Sequence, residues 1–146
     1  WLDEIGVTEP EQPAVSFLAG YSYGSGAFNN PRGSLRVKGL VVYLAGNRIA
    51  LTDEGRAVAH HPDDPLTTAT LHARILGRLP NPEQRVLRPL LASYPEPMPQ
   101  DKLAEAANYQ VGSGAFNNPR GRLRSLGLID YPEPGYAVAR SILFVD

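Results

Sequence analysis

Residues 24–33 read Gly-Ser-Gly-Ala-Phe-Asn-Asn-Pro-Arg-Gly, and residues 112–121 repeat the same ten residues 88 positions later. An identity of this length within 146 residues indicates an internal duplication. The match extends outward, because residues 21–40 and 109–128 share 15 of 20 positions. The five differences fall at the pairs 22/110, 23/111, 34/122, 37/125 and 38/126. One small module is therefore predicted to occur twice.

The composition is typical of a globular chain built from short elements. It is 42% hydrophobic and 20% charged, with 14 Gly and 14 Pro. The net charge of −1 gives no overall attraction to nucleic acid, so any basic patch must be local. The absence of cysteine excludes disulfides and thiolate zinc sites, and it fits a cytoplasmic protein. No apolar run approaches the ~20 residues that span a bilayer, and a start at Trp1 suggests a fragment or a processed chain.

Local signals predict the elements around the first copy of the repeat. A short helix is expected over 13–20, with Pro13 in its first turn. The next helix either is capped by Asn30 or starts from Ser25 and is kinked at Pro31, and we favour a start near Ala27 and an end near Gly39. A β-hairpin follows, with strands 41–44 and 49–51. Thr52 then caps a helix that runs to about His60.

The second half is predicted from the same kinds of signal. Apolar spacings of three and four indicate a helix over 67–79, and Asn81 is the expected N-cap of a helix that Pro89 kinks or breaks. The remaining predictions are a linker at 61–66, a rigid connector at 94–99, a helix at 100–108, and strands at 129–131 and 136–139 around a turn at 132–135.

Each repeat thus reads helix, glycine-containing turn, helix and hairpin, an order that resembles the winged helix-turn-helix family. The stretch 49–57, Ile-Ala-Leu-Thr-Asp-Glu-Gly-Arg-Ala, looks like the exit from the wing in MarR-type regulators. The tandem also looks like modules near the ends of larger bacterial or phage ATPases. The resemblance implies an α+β, mostly helical fold with two winged helix-turn-helix repeats, each carrying a small antiparallel β-hairpin wing, and a role in bacterial transcription regulation.

On this interpretation residues 1–62 form the first repeat, 63–80 a linker helix, and 81–146 the second repeat. The leading helix of the fold corresponds to 82–93 in the second repeat. No equivalent helix can be placed in the first repeat, since residues 1–12 are too polar.

In this family the second helix of the motif enters the major groove of DNA. A rotation of ~100° per residue places Phe116, Leu123, Leu126 and Gly127 on the inner side of that helix. Asn pairs with adenine and Arg with guanine or phosphate, while an exposed Gly costs ~1 kcal/mol of helix stability but permits close approach. The predicted nucleic-acid-binding residues are Asn29, Asn30, Arg32, Gly33, Arg36, Lys38, Arg48, Asn117, Asn118, Arg120, Gly121, Arg122 and Arg124.

The same residues also fit a purely structural role. The Gly-Ser-Gly segment can simply make a turn, Asn before Pro is a common cap, and many winged helices bind protein. The alternative function is therefore a protein-interaction or assembly module of a larger machine, using apolar surface on helices 67–93 or the terminal 142–145. Helices 67–93 are expected to pack within the chain or to form a homodimer contact.

No catalytic or cofactor site is predicted. Gly24-x-Gly26 lacks the Gly-Lys-Ser/Thr of a phosphate-binding loop. His60, His61, Asp63 and Asp64 match no known metal-ligand spacing, and His72 is expected on the surface of its helix. With no Ser-His-Asp arrangement to argue for, we expect a non-enzymatic protein that uses no cofactor, metal or small-molecule ligand.

Overall fold

A computed structural model describes residues 1–60, residue 63 and residues 67–145. These residues form an α+β fold that is about half helical and carries two small antiparallel sheets. The chain divides into two compact units, residues 1–66 (unit 1) and residues 67–146 (unit 2). The linker predicted at 61–66 lies, except for Asp63, outside the described residues.

Unit 1 contains three helices and one hairpin in its described part. The elements are α1 (Gln12–Leu18), α2 (Gly26–Val37), β1 (Val41–Leu44), β2 (Arg48–Leu51) and α3 (Asp53–Val58). The strands pair antiparallel with Val41 opposite Leu51. Positive φ angles at Gly46 and Asn47 reverse the chain between them.

Unit 2 contains four helices and a three-stranded sheet among its described residues. The elements are α4 (Thr68–Arg78), α5 (Asn81–Ser93), β3 (Met98–Pro99), α6 (Gln100–Ala106), α7 (Gly114–Ser125), β4 (Ile129–Asp130), β5 (Tyr136–Ala139) and a short 3₁₀ helix (Ser141–Leu143). The strand order is β3-β5-β4, all antiparallel. Helix α5 contacts α6, α7 and β5, so it is the central element of this unit.

The duplication extends further in structure than in sequence. Adding 88 to the bounds of α1, α2 and β2 gives the bounds of α6, α7 and β5. The bridge between Glu11 and Arg48 corresponds in the same way to the pairing of Pro99 with Tyr136. Residues 11–51 and 99–139 therefore have equivalent structures. Unit 1 and unit 2 differ in what lies before and after these segments.

The cores of the two units differ greatly in size. Seventeen hydrophobic residues are buried in unit 2, against four in the described part of unit 1, namely Ala14, Phe28, Val41 and Ile49. The buried residues of α4 and α5 are Leu71, Ile75, Val86, Leu87 and Leu90. The apolar sides of both helices are thus used inside unit 2, together with Ile142 and Leu143 from the terminal segment.

The exit from the first hairpin depends on Thr52 and Gly55. The Thr52 side chain accepts a hydrogen bond of 3.0 Å from the Gly55 amide, so the predicted cap of α3 is confirmed. A Cβ at Gly55 would overlap the Leu40 carbonyl oxygen, because α3 begins directly against that backbone. This close approach explains the spacing of Thr and Gly in the sequence. Unit 2 has Leu143 at the equivalent position, where the chain forms the short 3₁₀ helix Ser141–Leu143 instead of an α-helix.

Some predicted helix boundaries differ from the structure by one or two residues, and two predicted features of α5 were wrong. Helix α2 begins at Gly26 after the cap Ser25, one residue before the predicted start, so Pro31 lies inside it. Helix α3 ends at Val58 instead of His60. Asn81 is not a cap, because the Pro80 carbonyl already accepts the first helical bond from Gln84. Helix α5 continues without a break through Pro89, since buried residues on both sides hold it.

Two further predictions were wrong because the deciding contacts are distant in sequence. The proline-rich connector at 94–99 ends in β3, which pairs with β5. His72 is half-buried instead of exposed on α4. One of its ring nitrogens is hydrogen-bonded to the Leu143 carbonyl at 2.8 Å, and the ring meets Phe144 edge-on at 5.0 Å.

Residues 1–11, all of them described, form turns without a helix. Arg56 donates hydrogen bonds of 3.0 and 3.1 Å to the Asp3 carboxylate. These bonds and the charge of Arg56 lower the pKa of Asp3. An ion pair therefore joins this acidic segment to α3 within unit 1.

Candidate nucleic-acid interface

The repeated block forms a turn followed by a helix in both units. Gly24 and Gly112 adopt φ of +82° and +80°, a conformation that favours glycine. Ser25 and Ser113 then cap the helices, each accepting a 3.3 Å hydrogen bond from the amide of Phe28 or Phe116. The first half of the block is accordingly a structural turn, and its second half supplies the helix surface.

The inner side of α7 agrees with the sequence prediction. Phe116 and Leu123 are fully buried, Gly127 just beyond the helix is buried, and Leu126 is half-buried. The Tyr109 ring lies 6.3 Å from the Phe116 ring. This side fixes the rotation of α7, and it leaves the opposite side to solvent.

The outer side of α7 is exposed to solvent. The exposed residues are Asn117, Asn118, Gly121, Arg122, Arg124 and Ser125. In α2 the equivalent exposed residues are Asn30, Ser34, Arg36 and Val37, while Asn29 and Gly33 are half-buried. Lys38, at the end of α2, is also exposed. In unit 2, five of the six predicted contact residues are therefore exposed, whereas in unit 1 only Asn30, Arg36 and Lys38 of the seven predicted ones are.

Arg32 and Arg120 differ from the other predicted contact residues because they point inward. Arg120 donates to the Gln100 side chain at 2.8 Å, and Arg32 makes the equivalent bond to Gln12. Their guanidinium groups lie 5.3 and 4.8 Å from the Phe28 and Phe116 ring centres. Arg32 thus joins α2 to α1, and Arg120 joins α7 to α6. Both arginine side chains are half-buried.

Arg36 and Arg124 lie over the aromatic ring of the adjacent hairpin. Arg36 is 4.5 Å from the centre of Tyr43, and Arg124 is 4.6 Å from the centre of Tyr131. A cation–π contact at an exposed site is worth ~0.5–1 kcal/mol, so it orients the guanidinium without removing its charge. These two arginines are held in place and remain open to solvent.

Two of the predicted cations are paired with carboxylates. Arg122 donates to Glu83 of α5 at 2.6 Å, and the Glu83 side chain is only 3% exposed. Arg48 is paired with Glu9 and also donates to the Ala45 carbonyl at 2.8 Å. The charge available to a partner is therefore smaller at these positions than the sequence suggests.

The asparagines take part in local bonds to different degrees. Asn117 accepts a 3.1 Å hydrogen bond from Arg120, and Asn29 donates one of 3.2 Å to the Gly24 carbonyl. Asn30 and Asn118 are exposed on the outer side of their helices. The second asparagine of each pair is thus the better placed for an external partner.

Gly33 and Gly121 lie inside α2 and α7 with no local structural requirement. A Cβ at either position would meet no heavy atom of the described residues within 4 Å. Neither φ angle falls in the range that favours glycine. Within a helix Gly is ~1 kcal/mol less favourable than Ala, so both copies retain a residue that weakens the helix.

Basic residues are concentrated on and next to α2 and α7. Residues 12–52 contain four basic residues and no acidic one, and residues 106–129 contain three basic residues and no acidic one. The full equivalent of 12–52 in unit 2, residues 100–140, also contains the acidic residues Asp101, Glu105, Asp130 and Glu133. Glu9 and Glu83 reach the two motifs from outside these ranges. Local positive charge therefore coexists with a net charge of −1.

Sequence reasoning missed the groups that position the arginines. Gln12 and Gln100, and likewise Tyr43 and Tyr131, are identical residues 88 positions apart. They lie outside the aligned segments 21–40 and 109–128. Extending that alignment at the same offset would have revealed them.

Other kinds of site find no support in the described residues. The described residues contain no group of three His, Asp or Glu side chains that could hold a metal. His61 and Asp64 lie outside the described residues. None of their helices combines the length and apolar character that a membrane span requires. The chain matches no protein family, no curated protein and no solved structure.

Proposed function

We propose that the chain is a tandem winged helix-turn-helix module that binds double-stranded DNA without a catalytic step, mainly through α7. Each unit has a first helix, a glycine turn, a second helix and a hairpin that corresponds to the wing. In that class the second helix lies in the major groove. The exposed side of α7 is the surface that then meets the bases.

The observation that carries the proposal is Gly121 at the centre of this surface. The fold does not need a glycine there, and the helix is less stable for it. A glycine lets a partner approach the helix backbone closely. Asn118 and Arg124 flank it with amide and guanidinium donors, which read adenine and guanine edges.

The charge balance favours α7 over α2 as the main contact. Unit 2 contains nine basic and seven acidic residues, whereas unit 1 contains five basic and eight acidic ones. At the position of Arg122, unit 1 has Ser34, and Val37 replaces Ser125. Since phosphate attraction supplies most non-specific affinity, unit 2 is the stronger DNA-binding unit.

The test is a fluorescence anisotropy titration of the full chain against a labelled DNA duplex at low salt. Gly121→Gln should weaken binding about tenfold, because the added side chain blocks approach to the groove. Gly77→Gln is the matched control, since Gly77 also lies in a helix with open space around it. Both variants should be at least as stable as the parent chain.

A second pair of variants tests the charge contribution. Arg124→Ala should weaken binding and reduce the slope of log affinity against log salt by about 0.9. Arg74→Ala removes the same charge from exposed α4 and should leave binding nearly unchanged. If the intact chain fails to bind DNA at low salt, or if the two variants behave alike, the proposal is wrong.

A further inference from the structure

Unit 2 shows what covers the inner side of the repeated motif. Helix α5 packs on α6, α7 and β5. It contributes Val86, Leu87 and Leu90, which are fully buried. Arg85 of the same helix donates bonds of 3.0 and 2.8 Å to the carbonyls of Ala107 and Asn108, at the end of α6. Its guanidinium also lies 4.1 Å from the centre of the Tyr109 ring.

Unit 1 has the same inner surface, but none of its described residues forms a helix on it. A cavity of about 470 Å³ lies between α1, α2 and β2, the equivalents of the three elements that α5 contacts in unit 2. Its lining includes Val15, Leu35 and Ile49, which correspond to Leu103, Leu123 and Ala137.

Burial at equivalent positions confirms that this surface is open. Leu35 is 41% exposed, whereas Leu123 is fully buried. Pro31 is exposed and Pro119 is buried. Ala19 and Tyr21 are also exposed, whereas Ala107 is buried and Tyr109 half-buried. These differences all occur where α5 lies in unit 2.

The segment before α1 borders this cavity without filling it. Trp1, Leu2, Val7 and Pro10 contribute to the lining. The described residues 1–11 contain no helix, and Asp3 holds the segment to Arg56. The apolar surface of α1, α2 and β2 therefore remains available.

We propose that this groove binds an amphipathic helix supplied by a partner protein, in the position that α5 occupies in unit 2. The partner helix carries arginine followed by two aliphatic residues and a third aliphatic residue three positions later, as in Arg85-Val86-Leu87 and Leu90. The aliphatic side chains enter the groove, in the helix-in-groove mode of recognition. The arginine of the partner helix contacts Tyr21 and the C-terminal end of α1, as Arg85 contacts Tyr109 and the end of α6.

The partner helix is expected to differ from α5 at one polar position, the one that Glu83 occupies in α5. In unit 2 the buried Glu83 is paired with Arg122, but unit 1 has Ser34 at the equivalent position. An acidic residue there would be buried without a cation, at a cost in binding free energy. The partner helix accordingly carries an uncharged residue three positions before the first aliphatic one.

The test uses the full chain and a synthetic peptide with the sequence of residues 80–93 in which Glu83 is replaced by Gln. The peptide contains no aromatic residue, and Trp1 is the only tryptophan of the chain. Trp1 lines the groove, so its emission should shift to shorter wavelength and saturate as the peptide binds. Amide NMR shifts should concentrate in residues 12–51.

Matched variants decide whether the groove is responsible. Leu35→Glu should weaken peptide binding about tenfold or more, because it places a charge in the apolar contact. Val37→Glu is the control, since Val37 is 89% exposed on the same helix and does not line the cavity. A peptide with Leu87→Glu should not bind.

Three outcomes would overturn the proposal. The first is an unchanged Trp1 emission with no amide shifts at millimolar peptide. The second is a set of shifts confined to residues 67–145, which would mean that the peptide only competes with α5. The third is a dimer in light scattering that Leu35→Glu dissociates, because a second copy would then be the occupant.

Discussion

The two units carry 15 identical residues in the 20 positions of the repeat, yet they bury the same side chains to different extents. Leu35 and Leu123 are equivalent residues on helices of identical bounds, and one is 41% exposed while the other is fully buried. The difference arises from α5, which covers the motif in unit 2. Local sequence therefore determines the backbone, and the covering helix determines how much of the inner side is buried.

The largest expected effect comes from substituting this leucine pair. Leu123→Ala should destabilise unit 2 by about 2–5 kcal/mol, because it leaves a cavity in a closed core. Leu35→Ala should cost unit 1 less than about 1 kcal/mol, since its side chain already contacts solvent. Native-state hydrogen exchange measured by NMR gives the opening free energy of α2 and α7 separately. Equal losses in the two units would contradict the difference in burial.

The same comparison explains how much of the fold could be predicted from sequence. The cap Thr52 was predicted from sequence, because a cap and its partner amide lie three residues apart. Ser25 was considered only as a helix start and not as a cap, although its partner amide is equally close in sequence. The inner side of α7 followed from helical periodicity. The strand β3 could not be predicted, since Met98 and Pro99 become a strand only by pairing with β5, almost 40 residues later.

The candidate site was predictable in its surface but not in its charges. Periodicity gave the exposed side of α7 correctly. The ion pair between Arg122 and Glu83 joins residues 39 apart, and no local signal indicates it. The groove of unit 1 was also beyond sequence reasoning, because only the structural equivalence with unit 2 shows which surface is uncovered.

The second expected effect concerns the ion pair between Arg122 and Glu83, since unit 1 has Ser34 in place of Arg122. Arg122→Ala should destabilise unit 2 by about 1–3 kcal/mol, because it leaves the carboxylate of the buried Glu83 without its cation. Ser34→Arg, the equivalent change in reverse, should have almost no effect on unit 1, because its described residues form no equivalent of α5 to bring an acidic side chain to that position. Urea unfolding monitored by circular dichroism measures both variants.

A double variant gives the control for this pair. Adding Glu83→Gln to Arg122→Ala should recover part of the stability, since a buried amide costs less than a buried charge. If Arg122→Ala alone changes stability by only a few tenths of a kcal/mol, the pair behaves as an ordinary surface ion pair. Because Arg122 has this structural partner, Arg124 is the cleaner position at which to test DNA binding.

The smallest expected effect should be the same in both units. Gly33→Ala and Gly121→Ala should each stabilise their helix by about 0.5–1 kcal/mol, because Ala restricts the unfolded chain and no described neighbour lies within 4 Å of the new Cβ. The gain depends only on the local helix, so α5 should not alter it. Hydrogen exchange of α2 and α7 provides the measurement. A loss of stability at either position would show that the glycine serves the fold, and it would remove Gly121 as support for close approach of DNA.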